Sequence, residues 1–104
     1  MANNYLLVYH GGGMSASQEE QARVMQQWTE WFGVLGDRLV DGGNPVSQTK
    51  RIAVGGAVSD EANGPTGYSI IKAESLDQAV ELAQGCPVLQ GGASIEVAET
   101  FAAM

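Results

Sequence analysis

The sequence predicts an α+β fold of the ferredoxin-like kind, with element order βαββαβ, one antiparallel sheet and two helices on one face. Three observations carry this. Short segments rich in β-branched, aromatic and aliphatic residues occur at 4–10, 51–54, 68–73 and 94–99. Between them lie two stretches with apolar residues at helical spacing, each opened by a serine with Glu or Gln three residues on. The first strand is apolar on both alternating sets, Tyr5, Leu7 and Tyr9 on one face and Leu6 and Val8 on the other. A strand apolar on both sides needs cover on both sides. Two helices on one face leave the other face open, and a second copy packed sheet to sheet would close it. A two-fold homodimer with an interface of about 1,600 Å² or more is the expectation.

The elements follow in order. The first strand ends at Gly11-Gly12-Gly13. Ser17 with Glu20 forms a capping box for a helix whose apolar stripe is Val24, Met25, Trp28, Trp31, Phe32 and Leu35. Gly36 is placed to end it. Asp41-Gly42-Gly43-Asn44-Pro45 is dense in turn formers. Arg51 to Val54 reads as the second strand, with Gly55-Gly56 as a two-residue hairpin turn and Ala57-Val58 returning. Residues 59–67 read as a polar loop, and Tyr68 to Ala73 as the third strand. Ser75 with Gln78 opens a second helix, with Leu76, Ala79, Val80 and Ala83 on one face. Gly85 is its expected stop, and Pro87 cannot continue it. Ser94 to Glu99 is the last strand. No repeat or linker is evident, so residues 1–104 are expected to form a single domain.

Composition excludes several classes. Five basic residues against twelve acidic ones give a net charge of −7, which disfavours nucleic acid as a partner. One cysteine, Cys86, excludes an internal disulfide, and one histidine leaves few options for a transition-metal site. No cofactor and no metal are expected. No apolar run approaches the roughly 20 residues that span a bilayer, and no basic residue precedes the early run Tyr5 to Tyr9. A cytoplasmic protein without a membrane partner is expected.

Five segments in order resemble the YCII-related proteins, and more narrowly their DGPF-type branch. They are Tyr5-Leu6-Leu7-Val8-Tyr9-His10, Asp41-Gly42-Gly43-Asn44-Pro45, Thr66-Gly67-Tyr68-Ser69-Ile70-Ile71, Gly85-Cys86-Pro87 and Ile95-Glu96-Val97-Ala98-Glu99. The resemblance spans nearly the whole chain. It implies a dimeric α/β-barrel of ferredoxin-like protomers. Related dimeric-barrel enzymes act on small aromatic or lactone substrates, often without a cofactor, and other DGPF-type proteins accompany extracytoplasmic-function sigma factors. Two departures stand out. Where the branch carries Asp-Gly-Pro-Phe, this chain reads Asp60-Glu61-Ala62-Asn63-Gly64-Pro65-Thr66-Gly67. The helix-1 histidine of some YCII-type members falls near Gln26, and Asp37 lies near the position of its aspartate partner, so that dyad does not carry over.

The candidate chemistry is sparse. His10 ends the first strand and opens the glycine loop. It is the candidate general acid/base, placed where a strand end can line a cleft between sheet and helices. The alternative is a loop histidine bonded to neighbouring backbone. Tyr9 and Tyr68 carry hydroxyls able to orient a ligand or to bond a loop. Trp28, with Trp31, could floor an aromatic pocket, although the spacing suits core packing. Asp41 and Asn44 could flank a site near His10, or serve turn geometry alone. Gly11-Gly12-Gly13-Met14-Ser15-Ala16 formally fits Gly-x-Gly-x-x-Ala, but the parallel strand a dinucleotide fingerprint requires is missing. Cys86 follows a helix C-terminus, which disfavours a thiolate. Glu96 and Glu99 point to opposite faces of the last strand.

Two functions fit. One is a small cofactor-free enzyme or small-molecule binder, with a pocket between sheet and helices and His10 as acid/base. The alternative is a non-catalytic dimeric regulatory or protein-interaction module.

Overall fold

Alternation along the first strand decides where the core lies. In a computed structural model, which describes residues 2–12 and 17–102, β1 (Asn3–Gly11) turns Tyr5, Leu7 and Tyr9 inward and buries all three. Leu6, Val8 and His10 alternate to the opposite face and stay half-buried. Behind β1 come α1 (Gln18–Leu35), β2 (Leu39–Asp41), β3 (Lys50–Ile52), β4 (Val58–Asp60), β5 (Gly67–Ala73), α2 (Leu76–Ala83) and β6 (Ala93–Glu99). The main sheet has order β2-β5-β1-β6 and is antiparallel throughout. That order and the two helices on one face are those of a ferredoxin-like α+β fold.

Both helix starts follow their capping chemistry. Ser17 Oγ accepts the Glu20 N–H at 3.1 Å, and Ser75 Oγ accepts the Gln78 N–H at 3.1 Å. Gln78 reaches back and its Oε1 accepts the Glu74 N–H at 2.7 Å, one residue before the cap. Gly36 closes α1 by donating its N–H to the Phe32 carbonyl. Against the sheet, α1 buries Trp31 and Leu35 and half-buries Trp28 and Phe32. Its first turns extend past the sheet, so Met25 is 67% exposed and the apolar stripe is covered only along its C-terminal half. α2 buries Ala79 and Ala83, and Trp31 Nε1 donates to the Leu82 carbonyl at 3.0 Å, tying the two helices together. Fully burying side chains such as Leu7 and Ile71 contributes about 1.5–3 kcal/mol each.

The middle of the chain differs from the sequence reading. The second strand of the main sheet is β2, Leu39–Asp41, not Arg51 to Val54. Three residues squeezed between a helix end and a glycine turn carry too little pattern to read as a strand. β3 and β4 instead form a separate two-stranded ribbon, registered Lys50↔Asp60, Arg51↔Ser59 and Ile52↔Val58. Val58, read as returning, does so, and residues 59–60, taken from the sequence as the start of a polar loop, continue that return strand. The turn is not a two-residue loop on Gly55-Gly56. Gly56 N–H bonds the Ala53 carbonyl at 2.9 Å, so Val54 and Gly55 are the central residues, and Gly56 follows at φ +99°. A short 3-10 turn over Pro87–Gly91 fills the stretch after α2.

One glycine is required by close approach. At Gly43, with φ +78°, an added Cβ would lie 1.6 Å from the Tyr68 carbonyl oxygen. The turn after β2 thereby lies directly on β5, with Asp41 Oδ1 accepting the Gly43 N–H at 2.8 Å.

Candidate functional site

The two faces of the main sheet carry different chemistry. On the helix side the polar atoms are bonded to one another. Tyr9 Oη donates to Ser69 Oγ at 2.7 Å, and Ser69 Oγ donates to the Gly42 carbonyl at 2.8 Å. Ser69, wholly buried, is thus the link between β1 and the turn after β2. Trp28 stacks edge-on against Tyr9, with ring centroids 5.8 Å apart, and against Trp31 at 5.6 Å. Burial pushes the Tyr9 phenol well above its ordinary value, against a smaller opposing effect of the Ser69 bond. Burial likewise raises the Cys86 thiol, which lies beside the Tyr9 hydroxyl. Tyr5 is raised by burial and by Glu99, whose Oε2 accepts its hydroxyl at 2.9 Å. Tyr9 and Trp28 therefore belong to the packed interior between sheet and helices.

On the helix-free face the antiparallel register sets out rows of side chains. One row runs Tyr68, Val8, Glu96 across β5, β1 and β6, and the next runs Ile70, Leu6, Ala98. His10 pairs with Ser94, so Glu96 is its diagonal neighbour. Long side chains bridge such diagonals, whose Cβ atoms lie roughly 7 Å apart. Here Glu96 Oε1 comes to 2.5 Å from His10 Nε2. The imidazole is 31% exposed and the carboxylate side chain 72% exposed. Nε2 itself is withdrawn from solvent, and the carboxylate contact lacks the alignment of a hydrogen bond. Tyr68 stands on the other diagonal from His10, and Asn44 Nδ2 points to its hydroxyl over a long 3.5 Å.

Of the residues singled out in the sequence, the structure gathers His10, Tyr68 and Asn44 toward one end of the helix-free face. Tyr9 and Trp28 lie across the sheet from them, and Asp41 is engaged in its turn. Glu96 is the site residue that sequence reasoning weighed only against Glu99. The signal was present, because the ferredoxin-like order makes the last strand the neighbour of the first. Residues 13–16 of the glycine-rich stretch lie outside the described residues. Among the described residues no three His, Cys, Asp or Glu side chains are grouped to hold a metal ion. No helix among them is long and apolar enough to cross a membrane.

An imidazole can take or give a proton at Nε2, and a carboxylate in contact with it can hold the ring in one orientation. Tyr68 offers a hydroxyl donor, and the side chains of Val8 and Ile70 an apolar floor. A concavity of about 520 Å³ sits away from these residues, at the base of the β3–β4 ribbon between Thr49, Lys50, Asp60, Glu61 and Thr66.

No family model and no curated protein matches the chain. Among solved structures it is similar to the 5-chloro-2-hydroxyhydroquinone dehydrochlorinase of Burkholderia phenoliruptrix AC1100, determined in complex with 2,5-dihydroxybenzoquinone. Identity is 15%, the match covers 92% of this chain and 93% of that one, and the TM-score is 0.53. An unknown protein from Galdieria sulphuraria aligns at 13% identity over 96% of this chain and 51% of its own, with a TM-score of 0.44. The first likeness shows a shared fold.

Proposed function

We propose that residues 1–104 form a YCII-related domain that binds a small hydroxylated ring compound on the helix-free face of its sheet, as a homodimer. His10 is its acid/base and Glu96 the carboxylate that orients its ring. The observation that carries this reading is the His10–Glu96 contact, with Nε2 drawn out of solvent on a face otherwise floored by Val8, Leu6 and Ile70. Tyr68, held by Asn44, would donate to a ligand oxygen. The site replaces the pocket expected between sheet and helices, where Tyr9 and Trp28 are packed. A second copy laid over this face would cover Leu6, Val8 and Ile70 and shelter the ligand from water. The shared fold with a protein that holds 2,5-dihydroxybenzoquinone supports the choice of probe.

The test is a thermal-shift series with hydroxylated benzoquinones and hydroquinones, read beside the NMR signal of His10, the chain's one histidine. A ligand at 100 times its dissociation constant stabilises by about 2.7 kcal/mol. The wild type should gain several degrees and the His10 signal should move. His10→Ala and Glu96→Gln should lose the gain while keeping the unliganded melting temperature, since both side chains reach solvent. Equal stabilisation of His10→Ala would overturn the assignment. The filled helix side favours a second reading, a non-catalytic dimeric regulatory or interaction module, and a series in which nothing binds would leave that one standing.

A further inference from the structure

The β3–β4 ribbon belongs to no core within its own chain. Every residue from Lys50 to Asp60 is exposed, and the two strands pair with each other apart from the main sheet. Ile52 and Val58 face each other across the ribbon at 71% and 61% exposure, and Val54 stands fully exposed at the turn. An isolated two-stranded ribbon is marginal in water and needs something to pack on. Three neighbouring apolar side chains at its tip are an unusual surface for a segment exposed along its whole length.

The whole molecule shows the same excess. The Cα radius of gyration is 15.1 Å, and the extents are 43 × 42 × 18 Å. A folded domain of this length has a radius of about 13 Å. The accessible surface is 7414 Å². A folded monomer of this mass exposes about 5,600 Å². Each protomer thus carries an excess of about 1,800 Å², and two together about 3,600 Å², within the range buried by obligate homodimers.

We infer that the ribbon over Lys50–Asp60 is an arm that lays Ile52, Val54 and Val58 on a second copy of this chain. The surface excess is of the size that a dimer consumes. A second copy also brings uncovered apolar side chains for the arm to meet, among them Met25 at 67%, Val34 at 76% and Val40 at 47% exposure. Charge agrees. Lys50 Nζ pairs with Asp60 Oδ1 at 2.9 Å, and Arg51 Nη1 approaches Glu61 Oε2 at 3.8 Å. Lys50, Arg51 and Asp60 give the arm a net charge of +1, so the rest of the chain carries −8. Two such acidic bodies repel each other, and an apolar arm of small positive charge is a contact that this repulsion does not oppose.

This inference rests on the homodimer proposed above and goes beyond it. Sedimentation equilibrium of the wild type and of the double variant Ile52→Asp, Val58→Asp tests both. Each changed side chain is exposed in the protomer, so circular dichroism should be unchanged. The wild type should sediment at about twice 10.9 kDa. The double variant should dissociate about 100-fold more readily. A wild-type monomer at 100 µM, an estimate of about the highest convenient concentration, would overturn the dimer and the arm together. A dimer untouched by the two substitutions would overturn the arm alone and leave a sheet-to-sheet dimer. A monomer would also remove the cover proposed over the His10 face, whereas loss of the arm alone leaves the His10 assignment to the ligand series.

Discussion

The hydroxyl relay from Tyr9 through Ser69 to Gly42 predicts an inverted order of mutational costs. Tyr9→Phe removes the first donor, but Ser69 Oγ still donates to the Gly42 carbonyl, its 2.8 Å bond intact. One neutral hydrogen bond is lost and no buried atom is stranded, at about 1 kcal/mol. Ser69→Ala removes a single oxygen yet breaks both bonds, of 2.7 and 2.8 Å. The Tyr9 hydroxyl is left inside the core, where the neighbouring Cys86 sulfur is a weak acceptor at best. A stranded buried hydroxyl costs about 1–3 kcal/mol, and the lost bond to Gly42 adds about 1, for roughly 2–4 kcal/mol in all. The double variant has no hydroxyl to strand, so it should be no less stable than Ser69→Ala alone. Urea unfolding at pH 7, with midpoints converted through a common m value, measures all three. The reasoning fails if Tyr9→Phe costs more than Ser69→Ala, or if the two effects simply add, which would mean the atoms are not coupled.

Two further predictions concern glycine and pH. Gly43→Ala should prevent stable folding or cost more than about 3 kcal/mol, because its Cβ would fall 1.6 Å from the Tyr68 carbonyl oxygen at φ +78°. Gly33→Ala, inside α1 with nothing within 4 Å, should stabilise by about 0.5–1 kcal/mol in the same assay. Alkaline pH should destabilise the fold, because both Cys86 and Tyr9 titrate higher when folded than their ordinary values of 9.0 and 10.0. Above those values the unfolded chain loses protons that the folded chain keeps, so stability is fully present below about pH 8 and falls as pH rises. The slope reaches about 1.4 kcal/mol per pH unit for each group, and Tyr9→Phe should remove one group's share above pH 10, an estimate of where the unfolded phenol ionises. A stability flat from pH 8 to 11 would contradict the burial of both; those limits are about one unit either side of the ordinary values.

The outer elements were legible because their signals are local. β1 announces itself by Tyr5-Leu6-Leu7-Val8-Tyr9, and each helix by a serine whose side chain caps its third backbone N–H. The middle was misread because competition there is not local. Arg51-Ile52-Ala53-Val54 has more β character than Leu39-Val40-Asp41, yet β2 joins the sheet. What decides is that Leu39, four residues past the end of α1, pairs with Ile71 and that the turn behind it lies on the Tyr68 carbonyl. Neither contact has a trace in the six residues around it. The ribbon's own apolar residues, read as a strand of the core, have no core to face within the chain.

The site was legible in its residues and not in its side of the sheet. A period of two assigns Tyr9 and His10 to opposite faces without any structure. Placing both in one pocket needed the strand end to twist, and the Tyr9–Ser69 bond pins it instead. Tyr9 is spent on the helix side, where Tyr5 also meets Glu99, and His10 meets Glu96 across the open face. Glu96 follows from register alone, since it lies opposite Val8 and diagonal to His10. A histidine and a glutamate brought together there, beside Leu6 and Ile70, gain little from the protomer that carries them. The contact is worth most where water is kept away, because an imidazole–carboxylate pair weakens as solvent screens it. A face that is apolar around an ionisable pair therefore argues for a cover over both, and the same cover serves the greasy rows and the chemistry.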